Sequence, residues 1–166
     1  MITQDDISGL AEETDYVLEP NSATYGSLAE FIKTFKASLD PRLWVNLVQE
    51  ELDELYAEKP RTPEHLKELA DLLYVYIGLE LTTTNSLGAL IPEDEATKTL
   101  KLLGRADRAI KEYFLFYGED IVSEAFRRVH KSNMSKLDEN GKPIFREDGK
   151  VMKGPNYKKP DLTDLV

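Results

Sequence analysis

LVQEELDELYAEKPRTPEHLKELADLLYVYIG, residues Leu47 to Gly78, decides how this chain folds. Two runs with helical spacing flank a breaker that carries Pro60 and Pro63. At about 100° per residue, Leu43, Trp44, Leu47, Val48 and Leu55 fall on one stripe of the first helix. Glu51 lies inside that stripe, Glu54 at its edge and Glu50 just beyond. A solvated acidic face would lie opposite the apolar one, and this face does not. In the second run Asp71 is followed by Leu72, Leu73, Tyr74, Val75, Tyr76, Ile77, Gly78 and Leu79, with no charge before Glu80. A helix apolar all round is a buried helix. Glu68 and Asp71, one turn apart, share a face where that buried portion begins.

Carboxylates buried without compensation either neutralise or find a cation. The two runs contain too few bases to pair all of Glu50, Glu51, Glu54, Glu68 and Asp71. The expectation is therefore one acidic cage for divalent ions, and oxygen-only ligands suit Mg²⁺ or Mn²⁺. The competing expectation is that Glu50 and Glu54 are surface acids flanking a core, paired weakly with lysines such as Lys59 or Lys67.

The pattern resembles the all-α nucleoside triphosphate pyrophosphohydrolases, the MazG-like superfamily, which also includes phosphoribosyl-ATP pyrophosphohydrolase and the dimeric dUTPases. Their signature is EExxE followed one helix later by ExxD. Glu50-Glu51-Leu52-Asp53-Glu54 and Glu68-Leu69-Ala70-Asp71 match both halves. The resemblance implies metal binding by Glu51, Glu54, Glu68 and Asp71. It also implies cleavage between the α and β phosphates of a nucleoside triphosphate, releasing a monophosphate and pyrophosphate, and a homodimer or homotetramer. Glu50 is the candidate base for the attacking water, with its neighbour Glu51 able to exchange roles with it.

Composition sets the outer limits. A chain of 166 residues is expected to form one domain with a sizeable core. It has no cysteine, which removes disulfides and thiolate zinc sites from consideration. No apolar run is long enough to span a bilayer, so a soluble protein of the cytoplasm, or of an infected host's cytoplasm, is expected. The formal net charge of −10 argues against a duplex nucleic-acid partner, which would call for a basic face. A triphosphate can still approach as its metal complex.

Along the chain, Met1 to Tyr16 is polar and acidic, with at most a short amphipathic turn at Ile7, Leu10 and Ala11. Asn21 to Gly26 reads as loop, and a helix is predicted from about Ser27, carrying Leu28, Phe31, Ile32 and Phe35. Asp40-Pro41 is a helix start, and that helix runs to about Glu58. Thr62-Pro63 starts the next, which runs to about Leu81. A breaker-containing connection, Thr82 to Leu90, leads to a helix opened by Pro92-Glu93-Asp94-Glu95 and ended by Gly118. Leu100, Leu103, Ala106, Ile110, Phe114 and Tyr117 are its expected apolar stripe. A last helix spans Glu119 to about Ser135, with Ile121, Val122, Ala125, Phe126 and Val129 inward. Asn140-Gly141 and Asp148-Gly149 are turn dipeptides, and Ile144, Phe145, Val151 and Met152 flank the second as a short hairpin. Pro160 is expected to stop regular structure. The fold class is all-α: an antiparallel helical bundle over about 27–135 with a tail at 136–166. The apolar second helix calls for more burial than one small bundle offers, which a homodimer would supply.

Val129 to Leu162, VHKSNMSKLDENGKPIFREDGKVMKGPNYKKPDL, resembles the C-terminal segment of the dUTPase-like branch. That resemblance implies substrate binding by Asn133, Lys136 and Lys153. Lysines suit phosphate oxygens, and an amide can donate and accept toward a base or sugar. Tyr157 can stack on a ring or pack. Asn133 can equally cap the end of its helix. A pyrimidine deoxynucleotide, dUTP first, is the substrate the tail favours. A phosphoribosyl-ATP enzyme, or a helical scaffold without activity, is the alternative. Di-iron bundles need Glu-x-x-His pairs, and neither His65 nor His130 has an acid three residues before it. His65 is expected at the surface or as a cap. No GxxxxGK[ST] occurs, which excludes a P-loop enzyme.

Overall fold

A computed structural model describes residues 22–83 and 92–166. Among them run α1 (Ser22–Phe35), α2 (Pro41–Ala57), α3 (Pro63–Thr83), α4 (Glu93–Tyr117) and α5 (Glu119–Met134). The strands β1 (Ile144–Phe145) and β2 (Val151–Met152) and a closing 3-10 turn, Thr163–Leu165, follow. The fold is all-α apart from that hairpin.

Local chemistry sets the helix ends. The Asp40 carboxylate accepts from the Arg42 N–H at 3.0 Å, with Pro41 at the first helical position of α2. Thr62 Oγ1 accepts from the His65 N–H at 3.2 Å and so caps α3. Gly118, at φ +89°, takes a backbone angle few side chains tolerate and turns α4 directly into α5. Acids fill the first turns of both, Glu93, Asp94 and Glu95 in α4 and Glu119 and Asp120 in α5, where the helix dipole favours them.

The centre of the molecule is α3. The α2–α3 hairpin is its most extensive packing, and α5, α1 and α4 cover the remaining sides. Leu66, Leu69, Ala70 and Leu72 have no exposed surface. The apolar second helix is therefore covered within one chain, and its burial alone does not require a second copy. At Gly78 the α2–α3 approach is so close that a Cβ would collide with ring carbons of Trp44. Trp44 is fixed by its Nε1–H donating to the Ser38 carbonyl at 2.8 Å.

Several expectations are corrected. The helix expected near Ser27 begins at Ser22, so 22–26 is helix rather than loop. Leu28 and Phe35 are fully buried, and the extra turn carries Tyr25, whose hydroxyl donates to Glu80 of α3 at 2.8 Å. The predicted connection also shortens, because Thr82 and Thr83 still belong to α3; the rest of it, like Met1 to Tyr16, lies outside the described residues. On α4 the expected stripe holds apart from its first member: Ala106 and Ile110 are buried and Leu103, Phe114 and Tyr117 pack against the core, whereas Leu100 is half exposed and Leu102 and Ala109 are buried in addition. The long α4 packs against both α2 and α3, which widens its buried face beyond the predicted stripe. Beyond Pro160 the chain is not wholly irregular, since buried Leu162 anchors a final 3-10 turn.

His65 is not at the surface. It is fully buried, its ring edge-on to Tyr113, with Nδ1 2.9 Å from the Tyr117 hydroxyl. That hydroxyl also accepts from the Arg61 N–H at 3.0 Å, so its own proton is free to go to His65 Nδ1. Burial holds the imidazole pKa below its usual value and keeps the ring neutral. The residue joins α3 to α4, while Thr62 does the capping.

Candidate metal and phosphate site

The acids of α2 and α3 meet where the hairpin faces the tail. Glu51, Glu68 and Asp71 each bring a carboxylate oxygen within 4.8 Å of the others. Helix geometry dictates this: Glu68 and Asp71 stand one turn apart on α3, opposite the buried stripe of α2 that contains Glu51. Glu51 and Glu68 are buried to 8% and 9% exposure, rare for carboxylates. Burial first, and then the Asp71 charge, push the Glu51 carboxyl up to about 8. Burial likewise raises Glu68. Glu68 Oε2 is buried with no hydrogen-bond partner.

The other two expected acids behave differently. Glu54 is exposed and lines the same pocket at its mouth. Glu50 points to the tail, where Arg146 and Lys150 both donate to its carboxylate at 2.6 Å. Burial works to raise its pKa, but those two bonds outweigh it and hold Glu50 below the usual range. A carboxylate held in this way is a poor base. The structure thus brings together three of the five, leaves one at the rim and ties the fifth to the tail.

Lysines surround the acids. Lys67 Nζ lies 2.6 Å from Asp71 and 2.9 Å from Glu68. Lys150 bridges Glu50 at 2.6 Å and Glu51 at 3.7 Å. The weak surface pairing expected of Lys67 with Glu50 or Glu54 is replaced by a tight contact deeper in. Lys67 is the one base that the two helices themselves bring to the cluster, and Lys150 and Arg146 come from the β-hairpin.

A pocket of about 160 Å³ opens over Glu51, Glu54 and Asp71, with Glu68 behind its wall, and is lined among others by Asn133, Lys136, Lys150, Lys153 and Tyr157. All four tail and α5 residues expected around a substrate are therefore here. Asn133 is buried at the end of α5, near Tyr74, whose hydroxyl pairs with His130 Nδ1 at 2.9 Å. Burial lowers the pKa of the Lys136 ammonium, an effect that the nearby Asp71 and Glu51 charges partly offset. The Lys153 ammonium sits 4.8 Å above the Tyr157 ring, so one face of that ring is already covered.

Tail and bundle are stitched together by polar contacts. The Ser132 hydroxyl donates to the Lys158 carbonyl at 2.6 Å, and Ser135 Oγ accepts from the Lys158 N–H at 2.8 Å. The hairpin turn closes with the Gly149 N–H on the Arg146 carbonyl at 2.9 Å and Gly149 at φ +96°. Arg146, Lys150, Ser132 and Ser135 escaped the sequence reading. The available signal was the pair of cations at 146 and 150 flanking Asp148-Gly149, which a hairpin brings to one edge.

Comparison of the chain with family models, with curated proteins and with solved structures returns no match.

Proposed function

We propose that this chain is a divalent-metal-dependent nucleoside triphosphate pyrophosphohydrolase of the all-α type, releasing a nucleoside monophosphate and pyrophosphate. The observation that carries the reading is the convergence of Glu51, Glu68 and Asp71, one of whose buried oxygens lacks a partner. The donor set is all oxygen and anionic, which fits Mg²⁺, with Mn²⁺ as a substitute. When bound, such an ion supplies charge neutralisation to the triphosphate.

The chain's own residues supply the rest. Glu51, Glu68 and Asp71 would hold the ion, with Glu54 adding negative charge at the pocket's rim. Lys136, Lys150 and Lys153 bring positive charge to the phosphate oxygens. Asn133 orients the base or sugar, and Tyr157 packs beside it. Glu50 can take a proton from the attacking water only after Arg146 and Lys150 release it. A phosphate group that draws those cations away would free it; otherwise the neighbours exchange roles, with Glu51 as the base and Glu50 toward the ion. A homo-oligomer belongs to the same reading.

One observation favours the non-catalytic alternative: Lys67 and Lys150 already neutralise much of the cluster from within. A panel of nucleotides incubated with Mg²⁺ separates the readings. Pyrophosphate and monophosphate in equal amounts, fastest with a pyrimidine deoxynucleotide such as dUTP, are expected. Turnover of phosphoribosyl-ATP alone would move the substrate, and release of orthophosphate or no turnover at all would overturn the proposal.

A further inference from the structure

We infer that Lys67 is a displaceable internal counter-ion, which holds Glu68 and Asp71 until a divalent cation arrives and then swings to a second pair of acids. The inference rests on the reading of Glu51, Glu68 and Asp71 as a divalent-ion site.

Three observations lead to it. First, the Lys67 ammonium sits on the cluster's own oxygens, 2.6 Å from Asp71 Oδ2 and 2.9 Å from Glu68 Oε1. A monovalent and a divalent cation that share those two carboxylates stand within a few ångströms of each other and repel strongly in a partly desolvated site. Second, the cluster is not satisfied by the lysine. Glu68 Oε2 stays buried and unpartnered, so a cation with more coordination sites gains bonds that the ammonium does not make.

Third, the side chain has somewhere to go. Lys67 forms part of the wall between two cavities. One is the acid pocket, lined by Glu51, Glu54 and Asp71. The other, of about 280 Å³, lies on the far side and is lined by Glu64, Asp161 and Lys159 among others. Glu64 is three residues before Lys67, on the same face of α3. Rotation about the flexible lysine stem carries the ammonium from Glu68 and Asp71 toward Glu64 and Asp161 without moving a helix. Asp161 belongs to the tail, so the swing also transfers a positive charge from the floor of the site to the tail that covers it.

The test is calorimetric titration of the full chain with Mn²⁺, and separately with Mg²⁺, without nucleotide. Wild type is compared with Lys67→Met and Lys153→Met. Both variants lose one positive charge near the acids, but only Lys67 touches Glu68 and Asp71. Lys67→Met should bind Mn²⁺ about tenfold tighter than wild type, a difference of about 1.4 kcal/mol, and Lys153→Met should tighten it by much less. In a parallel Mg²⁺ titration the Lys67 Nζ resonance of the wild-type protein should shift as the site fills. Equal tightening in both variants with a static Lys67 resonance would mean simple charge repulsion and overturn the inference. Weaker binding in Lys67→Met would overturn it as well. Should Lys67→Met fold poorly, Lys67→Gln replaces it in the same comparison, and the resonance shift needs no variant. If wild type binds neither ion, the metal-site reading itself fails, and the counter-ion role fails with it. If wild type binds and the variants do not differ, only the role of Lys67 fails.

Discussion

The α2–α3 hairpin and the C-terminal tail close on the same acids, yet they are held by different forces. The hairpin is fixed by apolar burial: Val48, Leu52, Leu66, Leu69 and Leu72 have no exposed surface, and Gly78 admits Trp44 against the backbone. The tail is fixed mostly by hydrogen bonds and ion pairs, with Val151 and Leu162 as its buried apolar anchors. Burial is nonspecific in direction but large, whereas partly exposed ion pairs are small and depend on geometry. The hairpin therefore sets where the acids are, and the tail sets what lies against them. Glu50 and Glu51 show the division within one dipeptide. Glu51 faces the core and is desolvated; Glu50, one residue earlier, faces the tail and is paired.

The largest effect should come from the hairpin side. Glu51→Gln and Asp71→Asn are each expected to cut turnover by roughly a thousandfold or more, since several kcal/mol of charge stabilisation are lost. Their stabilities should differ. Glu51→Gln relieves a buried acid, while Asp71→Asn takes a carboxylate from Lys67. Melting curves without metal should show Glu51→Gln at or above wild type and Asp71→Asn below it; the opposite order would mean that Glu51 is the structural acid.

A smaller effect is expected from pH. Folded, metal-free protein keeps the Glu51 proton up to about 8, whereas an unfolded chain releases it near the ordinary 4.5. Between those values the unfolded state binds fewer protons, so stability falls as the pH rises and levels off below the window. Metal-free melts from pH 4.5 to 8 should decline by several degrees more in wild type than in Glu51→Gln, and saturating Mg²⁺ should abolish the difference.

The smallest effect should come from the tail side. Glu50→Gln is expected to loosen the hairpin by about 1 kcal/mol or less. Amide exchange over Arg146 to Lys150 should then quicken up to about fivefold, with the melting of the bundle nearly unchanged. Turnover abolished while that exchange stays slow would restore Glu50 as the base and blur the contrast between the neighbours.

How legible this was depends on which force is at work. The 3.6-residue period made α2, α3 and α5 readable, and the placing of Glu51 within an apolar stripe already marked it as buried. The Asp40-Pro41 and Thr62-Pro63 starts are likewise local chemistry. The start of α1 was misplaced because Asn21 to Gly26 has loop composition, and what extends the helix is the reach of Tyr25 to Glu80, a contact across 55 positions. On α4 the stripe was legible except at Leu100, and Leu102 and Ala109 went unread because two helices widen its buried face. His65 looked polar and superficial, since nothing near it in the sequence announces Tyr113 or Tyr117. The tail's residues were singled out by resemblance and not by periodicity, and so Lys150 and Arg146, which grip Glu50, went unnoticed. Ion pairs between distant segments leave no repeating trace in a sequence.

The grip of Lys150 on Glu50 spans 100 residues of chain. A ribosome releases the acids well before it releases Lys150. For much of the time a molecule is being made, then, its helices can assemble with the carboxylates lacking Lys150 and Arg146. The stretch that finishes the pocket thus emerges after the helices that carry its acids, which makes the acids the older part of the site and the cationic cover the later one.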